Sequence, residues 1–422
     1  MERKEIFMRA RIETERVDLF DVNMMITMNV RINREVPFDA LSAAFEKACK
    51  VHEVLNSKIV IEASGEAFYV ENDAPQNSFS KTTLGMAELI GENEKRRFRL
   101  EDGEFLRGFL SPDGLVFMMH HLGGDGKSLL YFIETFMRCL AGEETSMTCF
   151  AGEESFTERP AGEECAQVPF RNLTLENLPA KSKLPFFYEP LIKSWNRKWQ
   201  KEKKIFGFRE MEEAYAKFWK DHQTEVSFER YGENEISYLL TRAKESGVSL
   251  TAWLITNMIK DSGKTMDIGL AVDGRMDQNR SMGNQATGIS VQYKYQKGKS
   301  FEANAKAVHG LMQKKLSDDR YRFFVLQFMG KLDDTLKDAL NLEHAGCFHG
   351  KTSAKLAQLL GYGDKVRDLS ITNLTRADIP LQYGDYGIQE IIFIPPVVSY
   401  AKNVIGIVTA GDVMYVTRHV YR

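Results

Sequence analysis

The chain has 422 residues, 43% hydrophobic and 27% charged, a globular composition too long for one ordinary core. Its formal net charge of −3 supplies no global field that would draw nucleic acid or an acidic membrane. Five scattered cysteines (Cys49, Cys139, Cys149, Cys165, Cys347), with no Cys-x-x-Cys pair, argue against a disulfide framework or a zinc site and for a reduced, cytoplasmic compartment. The charged start lacks the apolar core of a signal peptide, and no apolar run reaches the roughly 20 residues that span a bilayer.

Met24, Ile26, Met28, Val30 and Ile32 alternate with Met25, Thr27, Asn29 and Arg31, which predicts a half-buried strand. Leu41, Phe45, Ala48 and Val51 then fall near helical spacing over 38–52. Two apolar runs, 58–61 and 67–71, flank Ser64-Gly65 and predict a hairpin. A second hairpin joins 105–110 to 115–119 through Ser111-Pro112-Asp113-Gly114, whose turn chemistry is strong. The strand leads into His120-His121-Leu122-Gly123-Gly124-Asp125-Gly126. An amphipathic helix follows, marked by Leu129, Leu130, Ile133, Phe136, Met137 and Leu140.

Residues 141–205 change character. Two Ala-Gly-Glu-Glu stretches (151–154 and 161–164) precede a basic run from Lys181 to Lys204, read as a solvated face or a region steering a phosphate-bearing cofactor. The expected organisation is a first lobe over 1–165, a crossover over 166–205 and a second lobe over 206–422. In the second lobe Ser249 caps a predicted helix to about Lys260. A strand over 268–272 leads to Asp273-Gly274-Arg275, and another covers 288–295. Helices are expected over 302–316, 331–341 and 352–360, and strands over 369–372, 388–394, 404–409 and 414–421. This order predicts mixed α/β lobes rather than one doubly wound sheet.

A histidine at a strand end before a glycine-rich turn and a helix is placed for proton transfer. Its imidazole can accept a proton near neutral pH. The spacing His-His-x-x-x-Asp-Gly resembles the signature of condensation domains of nonribosomal peptide synthesis, within the chloramphenicol acetyltransferase-like superfamily. That resemblance implies two lobes of mixed sheet flanked by helices, with an active-site tunnel at their junction. It implies that His121 is the general base, that His120, Asp125 and Gly126 support the motif, and that Asp125 pairs with an arginine.

Further pieces carry the resemblance along the chain. Val51-His52-Glu53-Val54-Leu55 is similar to an early Arg-His-Glu-x-Leu-Arg motif, with Val51 and Asn56 replacing the arginines, so His52 is read as architectural. Asp273-Gly274-Arg275 and Gly283-Asn284-Gln285 resemble second-lobe segments beside the tunnel, making Arg275 and Asn284 candidate supports. Ser370-Ile371-Thr372-Asn373-Leu374 resembles a late segment of bacterial acyltransferases and adds Asn373.

The implied activity is transfer of an acyl group from a thioester to an alcohol or amine, as in alcohol acetyltransferases. Acyl-coenzyme A is the expected donor, with no permanently bound cofactor and no metal. An acyl carrier protein acting in trans is the alternative donor, and a non-catalytic binding protein of the same fold the alternative class. Gly123–Ser128 lacks phosphate-loop spacing, and His222, His309, His344, His349 and His419 form no metal pattern.

Overall fold

The computed structural model describes residues 9–143, 167–277, 279–362 and 366–422. Cys149, Cys165, both Ala-Gly-Glu-Glu stretches and the expected lobe boundary near 165 lie outside the described residues. In chain order the first half forms β1 (Arg9–Arg11), β2 (Met25–Ile32), α1 (Phe38–Val51), β3 (Ser57–Ile61), β4 (Ala67–Glu71), β5 (Ser78–Lys81), α2 (Met86–Glu94), β6 (Leu106–Ser111), β7 (Gly114–His120) and α3 (Gly126–Ala141). Next come α4 (Tyr188–Trp199), α5 (Phe208–Asp221), β8 (Thr224–Tyr231), α6 (Glu233–Glu245), α7 (Leu250–Ile259), β9 (Thr265–Asp273) and β10 (Ala286–Lys294). The remainder forms α8 (Phe301–Leu316), α9 (Asp319–Arg322), α10 (Phe324–Gly330), α11 (Asp334–His344), α12 (Lys351–Leu360), β11 (Leu369–Arg376), β12 (Gln382–Tyr383), β13 (Tyr386–Ile394), β14 (Asn403–Ala410) and β15 (Val413–Tyr421).

Two six-stranded sheets organise the chain, in the orders β12-β13-β2-β7-β6-β5 and β10-β9-β11-β14-β15-β8, with a small β1-β4-β3 sheet beside them. The first sheet grows from the predicted turn. Ser111 pairs with Gly114, and Gly114 adopts φ +128, where a Cβ would stand 2.7 Å from the Val30 carbonyl oxygen. Strand β2 lies at the sheet centre and is buried on both faces, Thr27 and Asn29 included. The alternation that predicts a half-exposed strand is therefore overridden by helices on both sides. On one of them α1 turns Leu41, Ala44, Phe45 and Ala48 inward, a spacing that lines a single helical face.

The second sheet is mixed: β11 runs parallel to both β9 and β14, while the other pairs are antiparallel. Its core joins Ile255 of α7 and Val308 and Met312 of α8 to Ile268, Leu270, Ile371, Ile405, Ile407 and Met414 of the strands.

The stretch 206–422, expected as one lobe, is shared between the two sheets. Strand β13 pairs antiparallel with β2, setting Ile391 opposite Val30 and Phe393 opposite Met28. The buried face of α5 (Met211, Ala214, Tyr215, Phe218, Trp219) belongs to the first core. The crossover expected over 166–205 contains α4, whose Ile192 and Trp199 are buried in that same core. The sheets touch where Thr417 Oγ1 donates to the Phe393 carbonyl at 2.6 Å. There Gly406 allows the approach, since a Cβ would stand 2.5 Å from the Phe393 oxygen.

Candidate active site

Strand β7 delivers the two histidines. The His120 N–H donates to the Phe105 carbonyl (2.9 Å) and the His121 N–H to the Met24 carbonyl (2.8 Å), so the strand end is pinned from both sides. One 3-10 turn, His121–Gly123, separates the strand from α3. The turn reverses at Gly124, which takes φ +151; a Cβ there would meet the Ser128 Cβ at 2.4 Å. Only glycine fits that conformation without strain.

The two rings then diverge. His120 is buried, its Nδ1 accepts the Leu122 N–H at 3.1 Å, and burial pushes its pKa down to about 3. It is a neutral structural group. His121 keeps 19% of its side chain exposed. Burial lowers its pKa below the ordinary histidine value, and the Asp125 charge opposes that shift. A neutral imidazole at neutral pH is the form that accepts a proton.

Asp125 caps α3, accepting the Ser128 N–H at 2.9 Å on Oδ1. Arg275, just past β9, donates to both of its oxygens at 2.9 and 3.1 Å, and the Gln285 N–H, just before β10, donates to Oδ2 at 3.1 Å. Arg275 and Asp125 side chains are 3% and 7% exposed. The carboxylate is buried, but arginine and these N–H donors hold its pKa below the usual range. The motif aspartate thus ties the first helix after the histidines to the ends of two second-sheet strands. Gly126 begins that helix where the two sheets meet: a Cβ would lie 3.0 Å from Leu374 Cδ2 of the second sheet and 3.2 Å from Phe393 Cζ of the first.

No protein-family model matches the sequence, and no curated protein matches it. Solved structures do resemble it. The first condensation domain of the calcium-dependent antibiotic synthetase, in complex with a substrate analogue, superposes with a TM-score of 0.61 at 12% identity, covering 98% of this chain and 91% of that one. The TRI3 trichothecene 15-O-acetyltransferase of Fusarium sporotrichioides gives 0.61 at 10% identity, with 98% and 90% covered. The starter condensation domain of rhizomide synthetase, a mutant in complex with C8-CoA and Leu-SNAC, gives 0.57 at 10% identity, with 98% and 88% covered. The chain has the chloramphenicol acetyltransferase-like fold of condensation domains.

Within this condensation-domain fold, Asn284 donates to Asp18 Oδ2 at 2.8 Å, and that oxygen stands 4.0 Å from His121 Nδ1. His121 Nδ1 is itself buried without a hydrogen-bond partner. Asp18 is a site residue that the sequence reading misses. It lies on a 3-10 turn (Arg16–Asp18) clamped by α11: Arg16 pairs with Asp338 through two hydrogen bonds of 2.8 and 2.6 Å, both side chains fully buried. Burial, with Glu15 and Asp21 nearby, pushes the Asp18 pKa well above the carboxylate range. Burial thus disfavours the charged form of both Asp18 and His121.

Asn373 does not join this cluster; its hydrogen bonds run to Thr251 of α7 and to the Thr375 N–H within the second lobe. His52 is buried, its Nε2 is 3.0 Å from Thr135 Oγ1, and burial lowers its pKa to about 3. Among the described residues no group of three or more His, Cys, Asp or Glu side chains is placed to hold a metal ion, and no helix is long and apolar enough to cross a membrane.

Proposed function

We propose that the chain is an acyltransferase that moves an acyl group from a thioester, acyl-coenzyme A, to a small alcohol or amine, with His121 as general base. The observation that carries the reading is the state of His121: neutral, partly exposed, and fixed at the lobe junction beside the Asp125–Arg275 pair. The fold adds support, because one protein that shares it holds C8-CoA and another is an O-acetyltransferase.

The chemistry needs one proton carried twice. The acceptor oxygen or nitrogen attacks the thioester carbonyl carbon while the imidazole takes its proton. The tetrahedral oxyanion collapses with cleavage of the carbon–sulfur bond. The imidazolium then returns the proton to the departing thiolate, leaving an ester or amide, a free thiol and neutral His121. Both substrates must sit against one ring, a demand that a site between two lobes suits.

The test is a mass-spectrometric screen of acyl-coenzyme A donors, short to long, against mixed alcohols and amines, with thiol release followed in parallel. His121→Ala should lower turnover by roughly 10²–10⁴-fold while leaving the circular dichroism spectrum unchanged. Turnover near wild type in the folded variant removes His121 from the mechanism. Transfer only from acyl groups on a carrier protein keeps the base and changes the donor. Binding without any thioester turnover leaves the fold as a binding scaffold.

A further inference from the structure

Between Lys181 and Lys204 stand eight basic residues and two acidic ones, in a chain whose net charge is −3. Lys331 occupies Glu189 at 3.0 Å, and Glu202 accepts from the Thr352 hydroxyl and N–H. Lys203 pairs with Asp333. Lys181, Lys183, Arg197 and Lys201 are exposed and form no salt bridge among the described residues, and exposed Lys193 shares Glu189 with Lys331.

Their placement is regular. Ile192 and Trp199 of α4 face the core. Lys193 and Arg197 stand one turn apart on the exposed side of α4, and Lys201 continues the row in the turn just past the helix end at Trp199. Like charges at that spacing repel one another and weaken a helix.

At the N-terminal end of this row two phenyl rings project. Phe186 is 87% and Phe187 58% exposed, packed edge to face with centroids 6.0 Å apart. They rest on a firm base: Phe187 lies against Tyr188 (4.5 Å), and Tyr188 packs on Phe324 of α10 (5.0 Å). Leu191 is also exposed, at 40%.

We infer that this face binds an anionic bilayer surface, with Phe186 and Phe187 entering the headgroup region and the Lys193–Arg197–Lys201 row lying over lipid phosphates. The reasoning is charge complementarity together with shape. Cations around a protruding apolar tip match the division of labour in interfacial helices, where aromatic rings penetrate and basic side chains reach the phosphates. Each cation near an anionic surface adds attraction that salt screens. A protein partner would need a groove to receive the rings, whereas a bilayer receives a convex tip directly. The inference stands apart from the acyl-transfer reading, because it invokes neither His121 nor any substrate.

The test is sedimentation of the full chain with vesicles of phosphatidylcholine alone and of equal parts phosphatidylcholine and phosphatidylglycerol, at low and high salt. The expected result is binding to the phosphatidylglycerol vesicles only, reduced by salt. The triple variant Lys193→Glu, Arg197→Glu, Lys201→Glu should lower the bound fraction at least about tenfold. The double variant Phe186→Ser, Phe187→Ser should lower it independently. All these residues are exposed, so both variants should keep the wild-type melting profile; a loss of binding that comes only with a loss of fold overturns the inference. So does equal binding to both vesicle types, or no binding to either. Capture of a purified acidic carrier protein in the absence of vesicle binding overturns it too, and assigns the face to a protein.

Discussion

Oδ2 of Asp18 and Nδ1 of His121 face each other across 4.0 Å, and Asn284 holds that same carboxyl oxygen at 2.8 Å. Both groups are driven toward their neutral forms by burial, Asp18 upward and His121 downward. The neutral imidazole therefore persists to a pH below the ordinary histidine value of about 6.5. If His121 is the base, kcat/KM should be flat through neutrality, with its acid limb below pH 6.5. A pH–rate profile with acyl-coenzyme A as donor checks this; an acid limb at or above 6.5 contradicts the environment described for the ring.

Arg275 and Asp125 form a nearly buried bidentate pair across the lobes. Arg275→Ala would strand the carboxylate away from water, and breaking such a pair from one side costs roughly 3–5 kcal/mol. The depressed Asp125 pKa sets the pH window. The pair's contribution is present above the unfolded carboxyl value near 4 and is lost as pH falls through the lower folded value. Urea melts at pH 7 should show the full loss for Arg275→Ala, and melts at the acid end a smaller one. A loss under about 1 kcal/mol at pH 7, the worth of an exposed pair, would mean that the charges are not buried together in solution.

Much of this was legible because it is local. The turn Ser111–Gly114 announces its hairpin, and the spacing from His120 to Gly126 announces strand, turn and helix. The α5 helix was not read from the sequence: Met211, Ala214, Tyr215, Phe218 and Trp219 recur at helical spacing, but charged neighbours on either side obscure the pattern. What local patterns do not carry is pairing. The apolar run that ends 388–394 predicts a strand, yet nothing in it says that the strand lies beside β2 rather than in the second sheet. Asp18 is the same case at the site. A single aspartate in a charged stretch has no signature, and it reaches His121 only because Asp338 and Asn341 of α11 grip its turn.

The signature turn should be intolerant at Gly124 as well as at Gly126. Gly124→Ala places a methyl 2.4 Å from the Ser128 Cβ at φ +151, a conformation open essentially to glycine alone. Backbone strain and overlap together should cost about 2 kcal/mol or more and disturb the Asp125 cap. Gly126→Ala meets only the side chains of Leu374 and Phe393, at 3.0 Å and beyond, and should cost less. Denaturant midpoints order the two; the reverse order would show that the turn relaxes and that Gly126 is the tighter contact.

Glu15 gives the clearest stability test. It is 3% exposed, accepts the Asn172 side-chain N–H at 2.6 Å, and burial raises its pKa to about 7. The folded state therefore keeps a proton that the unfolded state releases above its own pKa near 4.5. Stability falls as pH rises from 4.5 to 7 and then stays level, a loss of about 3 kcal/mol by linkage. Glu15→Gln keeps a carbonyl oxygen for Asn172 and removes the titration. The variant should match the wild type at pH 4, where both side chains are neutral, and exceed it by up to about 3 kcal/mol at pH 7.5. Urea melts at the two pH values measure the difference. An equal gap at both would show that Glu15 carries no trapped proton and that the substitution acts through packing alone.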